Sequence, residues 1–136
     1  MSVVTGVDFV CVPSADFERA LEFYGEVLGL ERSSVWQRGD EPPAGAEFET
    51  ANMTIAVIGT EALEMEFSPN TVPVALQVDD VAAARAELES RGVAFHGETI
   101  DSGVCHIANF SDREGNALML HHRYAPFSRP APRRAG

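Results

Sequence analysis

One phrase of apolar and polar positions is written twice along this chain. Val7-Asp8-Phe9-Val10-Cys11-Val12 is rich in β-branched residues and predicts a strand. Asp16 then offers a helix N-cap, and behind it Phe17, Ala20, Leu21, Tyr24 and Leu28 recur at the spacing of one helical face. Gly29 stands where a left-handed C-terminal cap belongs. Three short strands are predicted next, over Ser33–Gln37, Glu47–Thr50 and Met53–Ile58. The second copy opens on a strand at Val74–Val78. Asp79 or Asp80 caps its helix, Val81, Ala84 and Leu88 form the stripe, and Gly92 closes it. Strands over Ala94–Glu98, Val104–Phe110 and Ala117–His122 complete it. An offset of 64 residues superposes Asp16 on Asp80 and Ala20 on Ala84. Each half is therefore strand, helix, then three strands, and such repetition has to be settled before any fold is assigned.

The segments outside the repeat have loop composition. Phe67–Pro73 reads as a linker between the halves, and Gly39–Gly45 as a proline-broken loop of the kind that often borders a site. From Tyr124 onward the chain has three prolines, three arginines and no acid, which predicts a frayed tail whose charge folds back on an acidic body. The expected organisation is one domain over 1–123, with one module over about 4–60, a linker over 67–73, a second module over 74–123, and the tail 124–136.

Composition narrows the function more than the fold. A formal charge of −11 argues against nucleic acid as a partner, because phosphate backbones select basic surfaces. The same acidity suits a cationic ligand. All ten basic residues are arginine, which removes lysine nucleophiles and Schiff-base chemistry. No run is long and apolar enough to cross a bilayer, and the first residues lack a basic segment followed by an apolar one, so the expected location is the cytoplasm. Cys11 and Cys105 form neither a CxxC pair nor a metal-finger spacing and are expected to be reduced thiols. No cofactor is called for, and no glycine-rich phosphate loop or Ser/His/Asp arrangement stands out.

The stretch Phe110-Ser111-Asp112-Arg113-Glu114-Gly115-Asn116-Ala117-Leu118-Met119-Leu120 predicts strand, tight turn and strand, with Gly115-Asn116 supplying residues that tolerate positive φ. With two strand–helix–three-strand halves before it, this F-x-D-x-x-G-N-x-x-x-L segment resembles the vicinal oxygen chelate superfamily: glyoxalase I, extradiol dioxygenases, and fosfomycin- and bleomycin-resistance proteins. The match is closest over Val7–Leu30, Val74–Val93 and Phe110–Leu120. The resemblance implies an α+β fold of two tandem βαβββ modules, with curved mixed sheets around a cavity, paired in a homodimer.

In enzymatic members, four strands hold a divalent metal in that cavity. Their four ligand positions fall on Phe9, at or near Ala56, on Pro73 and on Met119. A catalytic divalent ion needs roughly three imidazole, carboxylate or thiolate ligands. Rings without a lone pair, a methyl group and a thioether do not supply them. The resemblance therefore implies a metal-free member that sequesters a small organic molecule, a drug or metabolite of cationic or aromatic character, rather than altering it. Strand alternation puts Cys11, Ala75, Gln77, Ile107, Asn109 and His121 on the face of the lost ligands, with Trp36 and Phe48 as walls. The expected ligand-binding set is Phe9, Cys11, Trp36, Phe48, Gln77, Ile107, Asn109, Met119 and His121, with no metal ligands. His121 is the one candidate general base, since an unperturbed imidazole titrates near neutrality. The alternative is a lyase or dioxygenase with a metal site rebuilt from His121, Cys11 and one of Glu47 or Glu49. A third reading is a regulatory domain whose useful surface is its partner interface, with Phe9 and Met119 as core filling.

Overall fold

The computed structural model describes residues 2–126. The tail beyond Pro126, including most of the predicted arginine-rich segment, lies outside the described residues. The first module runs β1 (Phe9–Ser14), α1 (Phe17–Glu22), β2 (Glu31–Trp36), β3 (Gly45–Glu49) and β4 (Thr54–Gly59). The second runs β5 (Val74–Gln77), α2 (Val81–Ser90), β6 (Ile100–Asp101), β7 (Cys105–Ser111) and β8 (Ala117–Arg123). Each forms a mixed four-stranded sheet, ordered β1-β4-β3-β2 and β5-β8-β7-β6. Within each, the first strand pairs in parallel with the last and the remaining pairs are antiparallel. The repeat in the sequence is thus a repeat of one α+β module.

Both helices start as their caps direct. Asp16 accepts a hydrogen bond from the Arg19 amide and Asp80 accepts one from the Ala83 amide. The first helix departs from the predicted stripe after Glu22. A π-helical turn over Phe23–Val27 follows, closed by the Leu28 amide bonding to the Phe23 carbonyl at 2.9 Å. The wider turn slips the face by one residue, so Phe23 and Tyr24 are both buried although they are neighbours in sequence. Gly29 and Gly92 do take positive φ after their helices, at 75° and 92°.

The expected strand over Ala94–Glu98 does not form. Only Phe95 bridges to Phe110 there, and the outer strand of the sheet is the two-residue β6 instead. Gly97 turns the chain with φ of 74°, while the Arg85 guanidinium stacks on the Phe95 ring and bonds to the Gly97 carbonyl. These side-chain contacts, with the His96 amide donating to the Asn109 carbonyl at 2.8 Å, hold the segment without a full strand ladder.

One core joins the modules. Val12, Phe48, Ile55 and Val57 from the first sheet meet Ala108, Phe110, Leu118 and Leu120 from the second, with both helices between them. These residues alternate with a second set on every strand, so each sheet has a helix-facing side and an outer side.

Candidate functional site

Cross-strand register identifies the outer face of the first sheet. Cys11, Ala56 and Glu47 stand in one row, with Ser34 beside Glu47. Phe9, Thr54 and Glu49 form the row on one side; Pro13, Ile58, Gly45 and Trp36 form the row on the other. The middle row is small at Cys11, Ala56 and Ser34, and two aromatic residues close over it. Trp36 lies across Gly45, whose absent side chain leaves room: a Cβ there would sit 2.6 Å from the indole. The Phe9 ring meets that indole edge-to-face at 5.9 Å between centroids. Ala56, at or near which the resemblance places one of four metal ligands, is fully buried. Phe9, a second, keeps 40% of its surface exposed.

Polar groups border these aromatics. The Ser34 hydroxyl donates to Glu47 at 2.8 Å and the Ser33 hydroxyl to Glu49 at 2.7 Å. Hydrogen bonds from Thr54 and then Ser33 hold the Glu49 carboxyl below the usual carboxylate range, so it stays ionised. Partial burial pushes the Cys11 thiol up, away from the reactive thiolate.

The outer face of the second sheet carries Ala75, Met119 and Asn109 in one row and Gln77, His121 and Ile107 in the next. Met119, His121, Ile107 and Asn109 are half-buried, while Ala75 and Gln77 are exposed. Eight of the nine residues expected from sequence therefore stand on outer faces, three on one sheet and five on the other. Phe48 does not. It pairs with Ile55 on the helix-facing side, 1% exposed, with its ring 5.9 Å from that of Tyr24. A bulge between Arg32 and Ser34 shifts the register of β2 against β3, so Trp36 and Phe48 fall on opposite faces. Glu47 and Glu49 take the outer positions of β3.

The described chain does not gather the eight around one cavity. The apolar cleft of about 1160 Å³ between the modules takes only Gln77 and His121 from the set. Its other walls come from β1, β4, β5, α2 and the residue that ends the π-helical turn, through Val10, Ile55, Leu76, Leu88 and Leu28. His122 lines the same cleft half-buried, with Nδ1 3.1 Å from the Val78 carbonyl.

The β7–β8 turn does work the sequence did not announce. Only Gly115 there takes positive φ; Asn116 is fully buried and acts as a clasp between modules. Its amide donates to the Pro13 carbonyl at 2.9 Å and to Asp112 at 2.7 Å, and its carbonyl oxygen accepts from the Asn70 amide. Asp112 also accepts from the Tyr24 hydroxyl at 2.8 Å. Burial and the Asp112 carboxylate push the Tyr24 phenol far above its ordinary range. Glu114 reaches across to accept from the Ala15 and Asp16 amides ahead of α1. These bonds tie the segment to the first module and to the linker, and so position the two sheets.

Among the described residues no three His, Cys, Asp or Glu side chains cluster to hold an ion. The side chains at the positions where the resemblance places the metal ligands offer poor donors for a divalent ion: phenyl at Phe9, methyl at or near Ala56, pyrrolidine at Pro73 and thioether at Met119.

The modules and the aromatic-lined outer face define a class, and comparison names it. The sequence profile of the Glyoxalase/Bleomycin resistance protein/Dioxygenase superfamily matches residues 6–120, so the chain belongs to that superfamily. Comparison with curated proteins gives no match. Among solved structures, TnmS3, an antibiotic binding protein from Streptomyces sp. CB03234, is 26% identical with a TM-score of 0.73, covering 90% of this chain and 99% of its own. A glyoxalase/bleomycin resistance protein from the same organism is 27% identical with a TM-score of 0.67, over 86% and 100%. Lactoylglutathione lyase from Agrobacterium tumefaciens shares the fold at 14% identity and a TM-score of 0.68, over 88% and 95%. No helix among the described residues is long and apolar enough to cross a membrane.

Proposed function

We infer that this protein is a metal-independent binder of small organic molecules, a drug or metabolite of aromatic or cationic character, acting in the cytoplasm. The observation that carries the reading is the Phe9–Trp36 pair closed over Ala56. Two of the superfamily's ligand positions have become an aromatic wall and its floor. Likeness to an antibiotic binding protein over 90% of the chain supports the same class of ligand. In this reading the outer face of the first sheet supplies aromatic contact and the Glu47 and Glu49 carboxylates, which favour a cation beside the rings. The second sheet supplies Met119 as a pliable wall, with Asn109, Gln77 and His121 as polar contacts. Both faces look away from the shared core, so the site is completed by a second copy of the chain. No step of bond making or breaking is assigned to His121.

Trp36 is the only tryptophan, so it reports the proposed site directly. Chelator-treated protein is titrated with planar aromatic and amine-bearing antibiotics while its fluorescence is followed. Saturable quenching that is weakened at least tenfold by Phe9→Ala and Glu47→Gln is the expected result. A parallel calorimetric titration with nickel, manganese, zinc and ferrous ions should give no heat of binding. Stoichiometric metal uptake would replace this reading with a rebuilt metal site, for which Cys11 and Glu47 already share a row.

A further inference from the structure

A nucleophile and a base meet at the margin of the second sheet. Phe95 bridges to Phe110 and packs against the core, and the His96 amide donates to the Asn109 carbonyl. Alternation along both segments therefore puts His96 on the outer side with Asn109 and Ser111. There His96 Nε2 stands 2.8 Å from the Ser111 hydroxyl oxygen. Among the described residues no other hydroxyl or thiol lies at hydrogen-bond distance from an imidazole. The two residues are 15 apart in sequence, so no local motif announces the pair. Both line a small cavity of about 290 Å³, whose apolar side is Phe23, Val27 and Val93. Arg113 lines it too, with its guanidinium 3.0 Å from the Glu22 carboxylate and its remaining N–H groups left as donors.

We propose that Ser111 is a nucleophile activated by His96, giving this chain a hydrolytic activity toward small activated esters. With the ring proton on Nδ1, Nε2 accepts from the Ser111 hydroxyl. The Ser111 Oγ bonds to the ester carbonyl carbon as its proton passes to Nε2. The bond from that carbon to the leaving oxygen then breaks, and the proton goes to the departing alcohol. Water completes the cycle: its oxygen bonds to the acyl carbon while His96 takes its proton. That proton returns to Oγ as the carboxylic acid leaves. The cavity sets the substrate class. Its volume suits a short acyl group, its apolar side suits an alkyl or aryl tail, and Arg113 offers donors to an oxygen on which charge develops. Ser111 is half-buried and His96 is exposed, which leaves the departing alcohol a path to solvent. This activity does not rest on the ligand reading, since Phe9 and Trp36 stand on the other sheet.

The test treats the full chain with p-nitrophenyl acetate and, separately, with a fluorophosphonate, whose phosphorus bonds to a serine Oγ as fluoride leaves. The expected result is steady release of p-nitrophenolate and a single phosphonyl group, mapped to Ser111 by peptide mass spectrometry. Ser111→Ala should abolish the label. His96→Gln keeps a hydrogen-bond partner but no base, and should slow both reactions about a hundredfold. Ser111→Cys should restore acylation by the ester, which separates loss of the nucleophile from loss of the fold. A label on another residue would overturn the proposal. So would release of p-nitrophenolate at the parent rate in Ser111→Ala and His96→Gln alike, because the hydrolysis would then belong to other groups.

Discussion

Tyr24 concentrates the energetics of this fold in one side chain. It is fully buried, its ring packs against Phe23 and Phe48, and its hydroxyl donates to Asp112 in the other module. Its protonated form is strongly favoured in the folded state. The unfolded chain releases that proton near the ordinary phenol range of about 10 while the folded chain retains it. Stability from this group is therefore fully present below pH of about 10 and is lost as pH rises beyond it, by up to about 1.4 kcal/mol per pH unit. Tyr24→Phe should cost about 1.5–3 kcal/mol at neutral pH in urea denaturation, the worth of a hydrogen bond to a charged group. It should also remove one proton's worth of slope from the alkaline limb. An unchanged alkaline slope in the variant would assign that limb to other groups.

At the scale of elements, the β7–β8 turn shows what the sequence disclosed and what it withheld. Its existence was legible, because Gly115 beside short polar residues has few other uses between two apolar strands. Both helix starts were legible for the same local reason: Asp16 and Asp80 are contacts within four residues. The role of Asn116 was not, since Pro13 and Asn70 reach it from distant parts of the chain, as Tyr24 reaches its partner Asp112. Trp36 and Phe48 divide along the same line. Alternation gives the parity of a strand, but a bulge between β2 and β3 resets it, and no residue pattern marks that bulge. Asn116→Ala should cost about 3 kcal/mol by chemical denaturation, since it leaves the Asn70 amide and the Pro13 carbonyl without a buried partner. Asn116→Asp keeps an acceptor for Asn70 but sets a carboxylate against Asp112. Burial beside that neighbour raises the new carboxyl's folded pKa, so its penalty is present at neutral pH and eases as pH falls through that value. A loss independent of pH would show that the turn relaxes away from the clasp.

At the scale of the whole molecule, the decisive fact is that one core holds the helix-facing sides of both sheets together. The residues expected to line a binding site are left on two outer faces. On the proposed binding function, a chain arranged this way would carry two half-sites that a second copy completes. It also leaves apolar side chains in water: Val3, Val4 and Val7 are more than half exposed ahead of β1, and Phe9 is 40% exposed on the outer face itself. Burying about 800 Å² per partner, the size of an ordinary stable interface, would cover such a surface and complete the site at once. Trp36 again supplies the reading, because it stands on the outer face and is the only tryptophan. On dilution from micromolar to nanomolar concentration its emission should shift to the red, as a partner's second sheet leaves the first. Sedimentation should show the mass halving over the same range. Met119→Arg, which sets a charge on the opposing outer face, should hold the chain as a monomer and abolish ligand quenching while each module keeps its fold. If instead the monomeric variant still binds aromatic ligands with parent affinity, the first sheet is a site by itself and the second copy contributes nothing to recognition.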